Sequence, residues 1–353
     1  MKRNFYFALG RPFSPIYTLL MRTRERCYRS GLFRSARLPV PVLSVGNLTL
    51  GGTGKTPVVQ HLARMLRERG YRPAVISRGY GGATREPVNV VSDGREIFLD
   101  AVQVGDEPRM LAENLPGVPV LTGVVRKLPA RHAVEELGAD VLILDDGFQH
   151  LGVARDLDLV LFNGDTLAGN SRVFPGGDLR EPVAALHRCH GFVLTGIDSG
   201  NRERAERFAD LLRGRFGGRP VFFTGYRVGG LVLETGEGNR SRLPVEALAG
   251  RTCLAFCGIA QPERFGRTVE RLPVDVLAFQ ELADHHHYRQ ADVERLVTRA
   301  RELGADCLLT TEKDLAKLQR FTPGLPVYAL EMRVDFPPDL EDFVFSFLGQ
   351  ENS

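Results

Sequence analysis

Residues 42–70, VLSVGNLTLGGTGKTPVVQHLARMLRERG, restrict the possible folds more than any other stretch of the chain. Val42–Val45 is a short apolar run, the pattern of a buried strand. Val58, Val59, Leu62, Met65 and Leu66 then recur at helical spacing, and Gly70 follows as a C-terminal cap. Between strand and helix lie Gly51, Gly52, Thr53, Gly54, Lys55 and Thr56. In this order the elements form a cradle for phosphate. Loop N–H groups and the helix N-terminus face the anion, Lys55 reaches the outer phosphates, and the Thr56 hydroxyl is a ligand for Mg2+. The strict motif places glycine where this chain has Thr49, so the loop is a GGxGKT variant.

A strand ending in acids is the expected second half of such a site. Val141–Asp146, VLILDD, supplies it: Asp145 is the first candidate to hold Mg2+, and Asp146 could share it. The alternative for both carboxylates is to cap the turn at Gly147-Phe148. In Gly105-Asp106-Glu107-Pro108, Asp106 reads either as a helix N-cap or as a base that accepts a proton from an attacking hydroxyl. Arg78 in Ser77–Gly82, SRGYGG, faces either a phosphate or a solvent acid. Phe174–Pro182, FPGGDLREP, is a turn-rich loop carrying Arg180 and Glu181.

The chain has 353 residues, long enough for about two domains. Its net charge of +3 hides an asymmetry, because residues 1–37 hold nine basic residues against the single acid Glu25. They mix with Phe5, Tyr6, Phe7, Phe13, Ile16, Tyr17, Leu19, Leu20 and Met21, yet no apolar run approaches the roughly 20 residues of a membrane span. A basic, aromatic-rich segment suits the interface of an anionic membrane; equally, it suits a helix packed on its own domain with arginines in water. No nucleic-acid partner is expected. The five cysteines form no disulfide pattern, and Cys253 and Cys257 read as core residues of an apolar strand.

Strands and helices alternate after the glycine loop. Strands are expected at 74–77, 88–91, 118–121, 141–144, 159–162 and 192–195, and helices at 107–114, 129–137 and 202–213. This order predicts an α/β fold with a mainly parallel sheet, helices on both faces and ligands at the carboxyl ends of its strands. Residues 219–250 change to short alternating pieces separated by glycine, a β-ribbon linker. A second, smaller α/β domain follows over 251–353. Its loop Asp284-His285-His286-His287-Tyr288 reads as an oriented Asp-His base or as a solvated loop.

Together the glycine loop, SRGYGG, GDEP, LDDGFQH, FPGGDLREP, GIAQPERF, DHHHY and TEKD resemble, in order and over nearly the whole chain, the tetraacyldisaccharide 4'-kinase (lipid A 4'-kinase) family. The resemblance implies two α/β/α sandwich domains joined by a β-ribbon linker, the N-terminal one P-loop NTPase-like. The expected division is a membrane-associating segment at 1–37, a P-loop kinase domain at 38–218, the ribbon at 219–250 and the smaller domain at 251–353. It also implies transfer of the γ-phosphoryl of ATP, with Mg2+, to the 4'-hydroxyl of a tetraacylated glucosamine disaccharide 1-phosphate, a lipid A precursor, at the cytoplasmic face of the inner membrane. Lys55 and Thr56 match the family's phosphate and Mg2+ residues, and Asp145 and Asp146 its strand-end acids. Asp106 matches a catalytic aspartate, His285 (or His286) its histidine partner, and Glu181 an acid near the metal. Arg78 becomes a candidate for the lipid's 1-phosphate. Gly176-Gly177-Asp178 departs from the alanine-glycine-proline of most members. Without the resemblance, the loop and acid pair would also suit a membrane-associated P-loop switch ATPase, although such proteins often carry a lysine where this chain has Leu50, or a ligase that phosphorylates a carboxylate.

Overall fold

The computed structural model describes residues 2–234, 240–284, 286–318 and 321–349. The chain divides into two compact units, one holding the residues up to Tyr226 together with those from Val334 onward, the other Arg227–Arg333.

In the first unit the strands are β1 (Val42–Asn47), β2 (Pro73–Ser77), β3 (Asn89–Ser92), β4 (Val120–Thr122), β5 (Val141–Asp145), β6 (Leu157–Asn163), β7 (Gly191–Thr195) and the first part of β8 (Val221–Glu234). They lie in the order β8-β7-β6-β1-β5-β2-β4-β3. All neighbours are parallel except the edge pair β3–β4. All residues of β1, β5 and β6 are buried, as a parallel sheet covered on both faces requires. The period of two sorts them: Val141 and Ile143 enter one core, Leu142 and Leu144 the other.

Helices α1 (Lys2–Gly10) and α2 (Ser14–Arg29) precede the sheet, joined by a 3-10 turn at Arg11–Phe13. Pro12 and Pro15 fall in first turns, where a missing N–H costs nothing, so they start elements here. Helix α3 (Lys55–Glu68) follows β1 and buries Val58, Val59, Leu62, Met65 and Leu66, the residues whose spacing predicted it. Next come α4 (Ala101–Val104), α5 (Asp106–Asn114), α6 (Lys127–Glu135) and α7 (Arg202–Arg215).

The second unit contains the end of β8, then β9 (Arg240–Leu243), β10 (Arg251–Cys257), α8 (Pro262–Val269), β11 (Val274–Glu281), α9 (Gln290–Leu303), β12 (Cys307–Thr311), α10 (Glu312–Leu318) and β13 (Val327–Asp335). β9 pairs antiparallel with β8, forming a ribbon. β11-β10-β12-β13 is a parallel sheet. Cys253, Ala255 and Cys257 pack toward Phe265 and Val269 of α8, while Leu254 and Phe256 pack toward α9 and α10. Both β10 cysteines are therefore core residues.

One boundary differs from the sequence expectation, which gave all of 251–353 to the smaller domain. Helix α11 (Pro338–Ser346) buries Leu340 and Val344 in the first unit's core, beside Leu157, Leu159, Val193 and Phe222. Two apolar residues at i, i+4 on a helix need a sheet face to cover, and β6 and β7 provide it.

Candidate active site

β1 is the topological switch point of the first unit's sheet, since the chain leaves it toward β2 on one side and later returns to β6 on the other. Ligands of open α/β sheets bind at the carboxyl edge of such a point. The glycine loop leaves this edge of β1, and Asp145 ends the adjacent β5, in register with Val45.

The loop is held from below. Asn47, fully buried, donates from Nδ2 to the carbonyls of Thr49 (2.8 Å) and Gly51 (3.4 Å) and accepts from Lys55 Nζ at 3.4 Å. Thr195 Oγ1 donates to the Thr53 carbonyl at 2.8 Å. Gly54 caps α3 with φ +71°, a left-handed conformation that favours glycine, and a Cβ there would also force the Tyr226 hydroxyl to shift. No side chain caps the N-terminus of α3, which leaves its N–H groups directed at whatever the loop encloses. Gly51 and Gly52 are exposed, Thr53 is buried, and Thr56 is half-buried as the second residue of the helix.

The two acids have different surroundings. Asp146 lies 3.5 Å from Lys55 Nζ and accepts from Arg180 Nη1 at 2.7 and 2.9 Å. Burial raises its pKa, but Lys55 and Arg180 outweigh burial and the net shift is downward. Its backbone has φ 53°, a left-handed conformation that costs energy for a non-glycine residue and turns the chain sharply after β5. Asp145 is buried, and only Ser77 Oγ, at 3.1 Å, donates to its carboxylate among the described side chains. Burial, then the nearby Glu107, push its pKa up to about 6 against the pull of Lys55. A buried carboxylate with no ion-pair partner among the described residues fits a site completed by a cation.

Asp106 is exposed and opens α5 as its first residue. The N-cap is Gly105, at φ +94°, so Asp106 is not the capping residue. A Cβ on Gly105 would strike the Tyr80 carbonyl, and one on Gly82 would strike the backbone of Gln103 and Val104. The SRGYGG and GDEP motifs therefore lie backbone to backbone, with Arg78 and Tyr80 exposed beside the start of α5. His285 lies outside the described residues. His286 is described, and its Nε2 is 3.3 Å from Asp292. Glu181 is buried and turned to Arg188, at 2.7 Å; Arg188 also meets Glu25 of α2 at 3.1 Å and stacks over Phe148. Its charge is thus already matched by an arginine, unlike that of Asp145.

Two residues enter the site that the motifs alone did not single out as part of it. Arg180, noted only as a loop residue, grips Asp146. Arg126 is 3 % exposed, with Nη1 donating to the Gly123 carbonyl at 3.2 Å and Nε without a partner. Burial drops its pKa to about 10, while Asp145 and Asp146 pull it back up. A lone arginine in a loop sequence carries no signal of this; only the fold brings it under the acids.

These cations have a cost that pH reveals. His150, in the LDDGFQH motif, is pushed down to about 4 by burial and then by Arg126, Arg24 and Arg155. The unfolded chain titrates this residue near ~6.5. A depressed folded-state value means that the stability from the neutral ring is complete above ~6.5 and is lost as pH falls toward 4. We expect the melting temperature of His150→Gln to gain on wild type steadily between pH 7 and pH 4.5 in thermal scans. Parallel curves would show that His150 does not carry this limb.

Fold and glycine loop together make this a P-loop NTPase-like α/β protein. A family model described as tetraacyldisaccharide-1-P 4'-kinase (LpxK) matches residues 6–348, and the chain belongs to that family. Among its relatives, the tetraacyldisaccharide 4'-kinase of Desulfotalea psychrophila is 44% identical over 344 residues, 97% of each chain. That of Syntrophus aciditrophicus is 42% identical over 359 residues, covering 98% of this chain and 94% of the relative. The crystal structure of LpxK from Aquifex aeolicus, described as an "apo" form in complex with ATP, superposes with a TM-score of 0.78 at 30% identity, covering 99% of this chain and 100% of that one.

Proposed function

We propose that this chain phosphorylates the 4'-hydroxyl of a tetraacylated glucosamine disaccharide 1-phosphate, taking the γ-phosphoryl group from ATP. The observation that carries this reading is the end-to-end match to relatives named for that activity, in a chain whose phosphate-loop lysine lies 3.5 Å from Asp146 at the end of β5. In this reading the glycine loop and the N-terminus of α3 hold the β- and γ-phosphates, and Lys55 spreads its charge over the transferring group. Thr56 and Asp145 are the residues that would hold Mg2+, which when bound neutralises phosphate charge; Asp146 would share it by giving up part of its pairing with Lys55 and Arg180. Glu181 stays with Arg188. Asp106 accepts the proton of the acceptor hydroxyl, and its exposure leaves it open to a bound sugar. His285 keeps the assisting role that the family resemblance gives it. Arg78, with Arg126 behind it, supplies positive charge for the lipid's 1-phosphate.

The first 37 residues are the membrane-associating segment in this proposal. Helix α2 has no buried residue and shows Ile16, Leu19 and Leu20 to solvent at 58–61 % exposure. Its other side is tied down by polar contacts, from Tyr17 Oη to the Arg180 carbonyl (3.0 Å), Ser14 Oγ to the Val173 carbonyl (2.9 Å) and Arg24 to the Gln149 carbonyl (2.9 Å). No described helix is long and apolar enough to cross a membrane. An apolar face with basic flanks lies in the plane of an anionic leaflet. We propose the cytoplasmic face of the inner membrane as that surface. The triple substitution Ile16→Glu/Leu19→Glu/Leu20→Glu spares every docking contact named above. Removing three side chains, each worth about 1.5–3 kcal/mol when buried, should lower partition onto anionic vesicles by about tenfold or more. Unchanged sedimentation with vesicles would place the anchor elsewhere.

The function itself is tested with γ-labelled ATP and the tetraacylated disaccharide 1-phosphate. Label should move to the lipid. Hydrolysis independent of the lipid would instead support a switch ATPase.

A further inference from the structure

In the second unit, the carboxyl ends of parallel strands β10, β11 and β12 each carry one of the sequence motifs: GIAQP in the loop after β10, DHHHY in the loop after β11, and TEKD across the end of β12 and the first turn of α10. One buried side chain acts on all three. Asp314, fully buried at the first turn of α10, accepts from the Gly258 N–H at 3.0 Å and from Thr311 Oγ1 at 2.7 Å, both through Oδ2. Its charge also acts on the Tyr288 hydroxyl of the loop after β11; burial, and after it Asp314, push that phenol well above the ordinary tyrosine range. Lys317 Nζ stands 3.8 Å from the other oxygen.

The loop after β11 is pinned at several points. Tyr288 is 1 % exposed and packs edge-on against Phe256 and His286. The His286 N–H donates to the Ala283 carbonyl at 3.0 Å. Gly258 lies so near that a Cβ on it would sit 3.1 Å from His286 Cβ and 3.1 Å from Asp314 Oδ1. Burying a carboxylate is unfavourable unless several donors compensate it. A lone structural aspartate would need only its own turn, which Thr311 already provides. Here a donor also comes from the loop after β10, which packs against the loop after β11 at the edge of the sheet where α/β proteins place ligands.

We propose that Asp314 is the positioning residue for the histidine-bearing loop, holding its described residues Ala283, Asp284 and His286–Tyr288 against Gly258. This rests on the kinase reading above only for its effect on turnover; the effect on the loop stands apart from it. Asp314→Asn keeps size and one acceptor oxygen but loses the charge and turns an amide toward Lys317 or Gly258. Tyr288→Phe removes the hydroxyl on which the Asp314 charge acts and keeps the ring.

Hydrogen exchange of the holoprotein reads the loop without reference to activity. In Asp314→Asn the amides of Leu282 and His286 should exchange at least about tenfold faster, while those within β10 and β12 keep wild-type rates. In the label-transfer assay kcat should fall by about 10- to 100-fold, since misplacing a catalytic group by an ångström has effects of that size. KM for ATP should hold, and Tyr288→Phe should show a smaller loss of the same kind. Unchanged loop exchange overturns the proposal. So does a loosened loop with unchanged kcat, or exchange accelerated throughout the unit, which would make Asp314 merely structural. Absence of label transfer by wild type would instead overturn the kinase reading, and the exchange rates alone would then decide whether Asp314 holds the loop.

Discussion

Asp106→Ala should lose at least about 10^2-fold in kcat and keep its affinity for ATP, because a positioned general base contributes ~10^2–10^4 and little of it to nucleotide binding. The geometry makes the separation clean. Asp106 is exposed, begins α5 without capping it, and lies on a different helix from Lys55. Removing its carboxylate takes no hydrogen bond from the helix N-cap, which is Gly105, so the fold should melt as wild type does. Asp106→Asn is the stricter variant: it preserves shape and polarity and abolishes only the ability to take a proton. Single-turnover label transfer, with ATP affinity measured separately, reads both quantities. If either variant turns over at near-wild-type rate, another group takes the proton.

Lys55→Met should cost more, about 10^3-fold in kcat/KM, and the loss should fall on both kcat and nucleotide affinity. Lys55 is the first residue of α3, and its ammonium lies between Asn47 Oδ1 at 3.4 Å and Asp146 Oδ1 at 3.5 Å, with 14 % of the side chain exposed. In the proposed complex it faces charge that builds on the transferring phosphoryl group, where a preorganised donor in a partly dry site is worth roughly 10^2–10^3. Its loss also leaves Asp146 to Arg180 alone. Lys55→Arg should not rescue, since a planar fork cannot take the place of a compact ammonium between two such near neighbours. Rescue by arginine, or a variant within threefold of wild type, would show that the loop does not grip the phosphate through this residue.

The β1–loop–α3 unit was legible because three independent signals coincide: an uninterrupted apolar run, clustered glycines and an apolar stripe of helical period. The strand-end acids were legible for the same reason, since VLILDD is both a buried strand and a pair of charges that a buried strand rarely carries. Asp106 was harder. Asp-Glu-Pro satisfies the statistics of a cap, and nothing local distinguishes a cap from a first-turn acid; the difference lies in Gly105, whose φ of +94° makes it the cap instead. Arg126 and Arg180 were invisible as partners because their roles depend on which loops the sheet brings beside β5. The place of α11 was missed, although Pro338, Leu340 and Val344 are a regular helix start and stripe, because sequence proximity to the smaller unit outweighed the question of which core lacked a cover. In the N-terminal segment the two prolines mark where helices begin, and composition alone could not say that the apolar side would be left exposed.

The return of α11 has a consequence for how the protein is made. Leu340 and Val344 complete a core whose other members lie between Leu43 and Phe222. On the ribosome, the nucleotide-binding unit must therefore wait, its sheet partly uncovered, while more than a hundred further residues are translated. The intervening unit, whose own cores need nothing from beyond Arg333, can be finished first, so the half of the molecule that begins the chain is the last to mature.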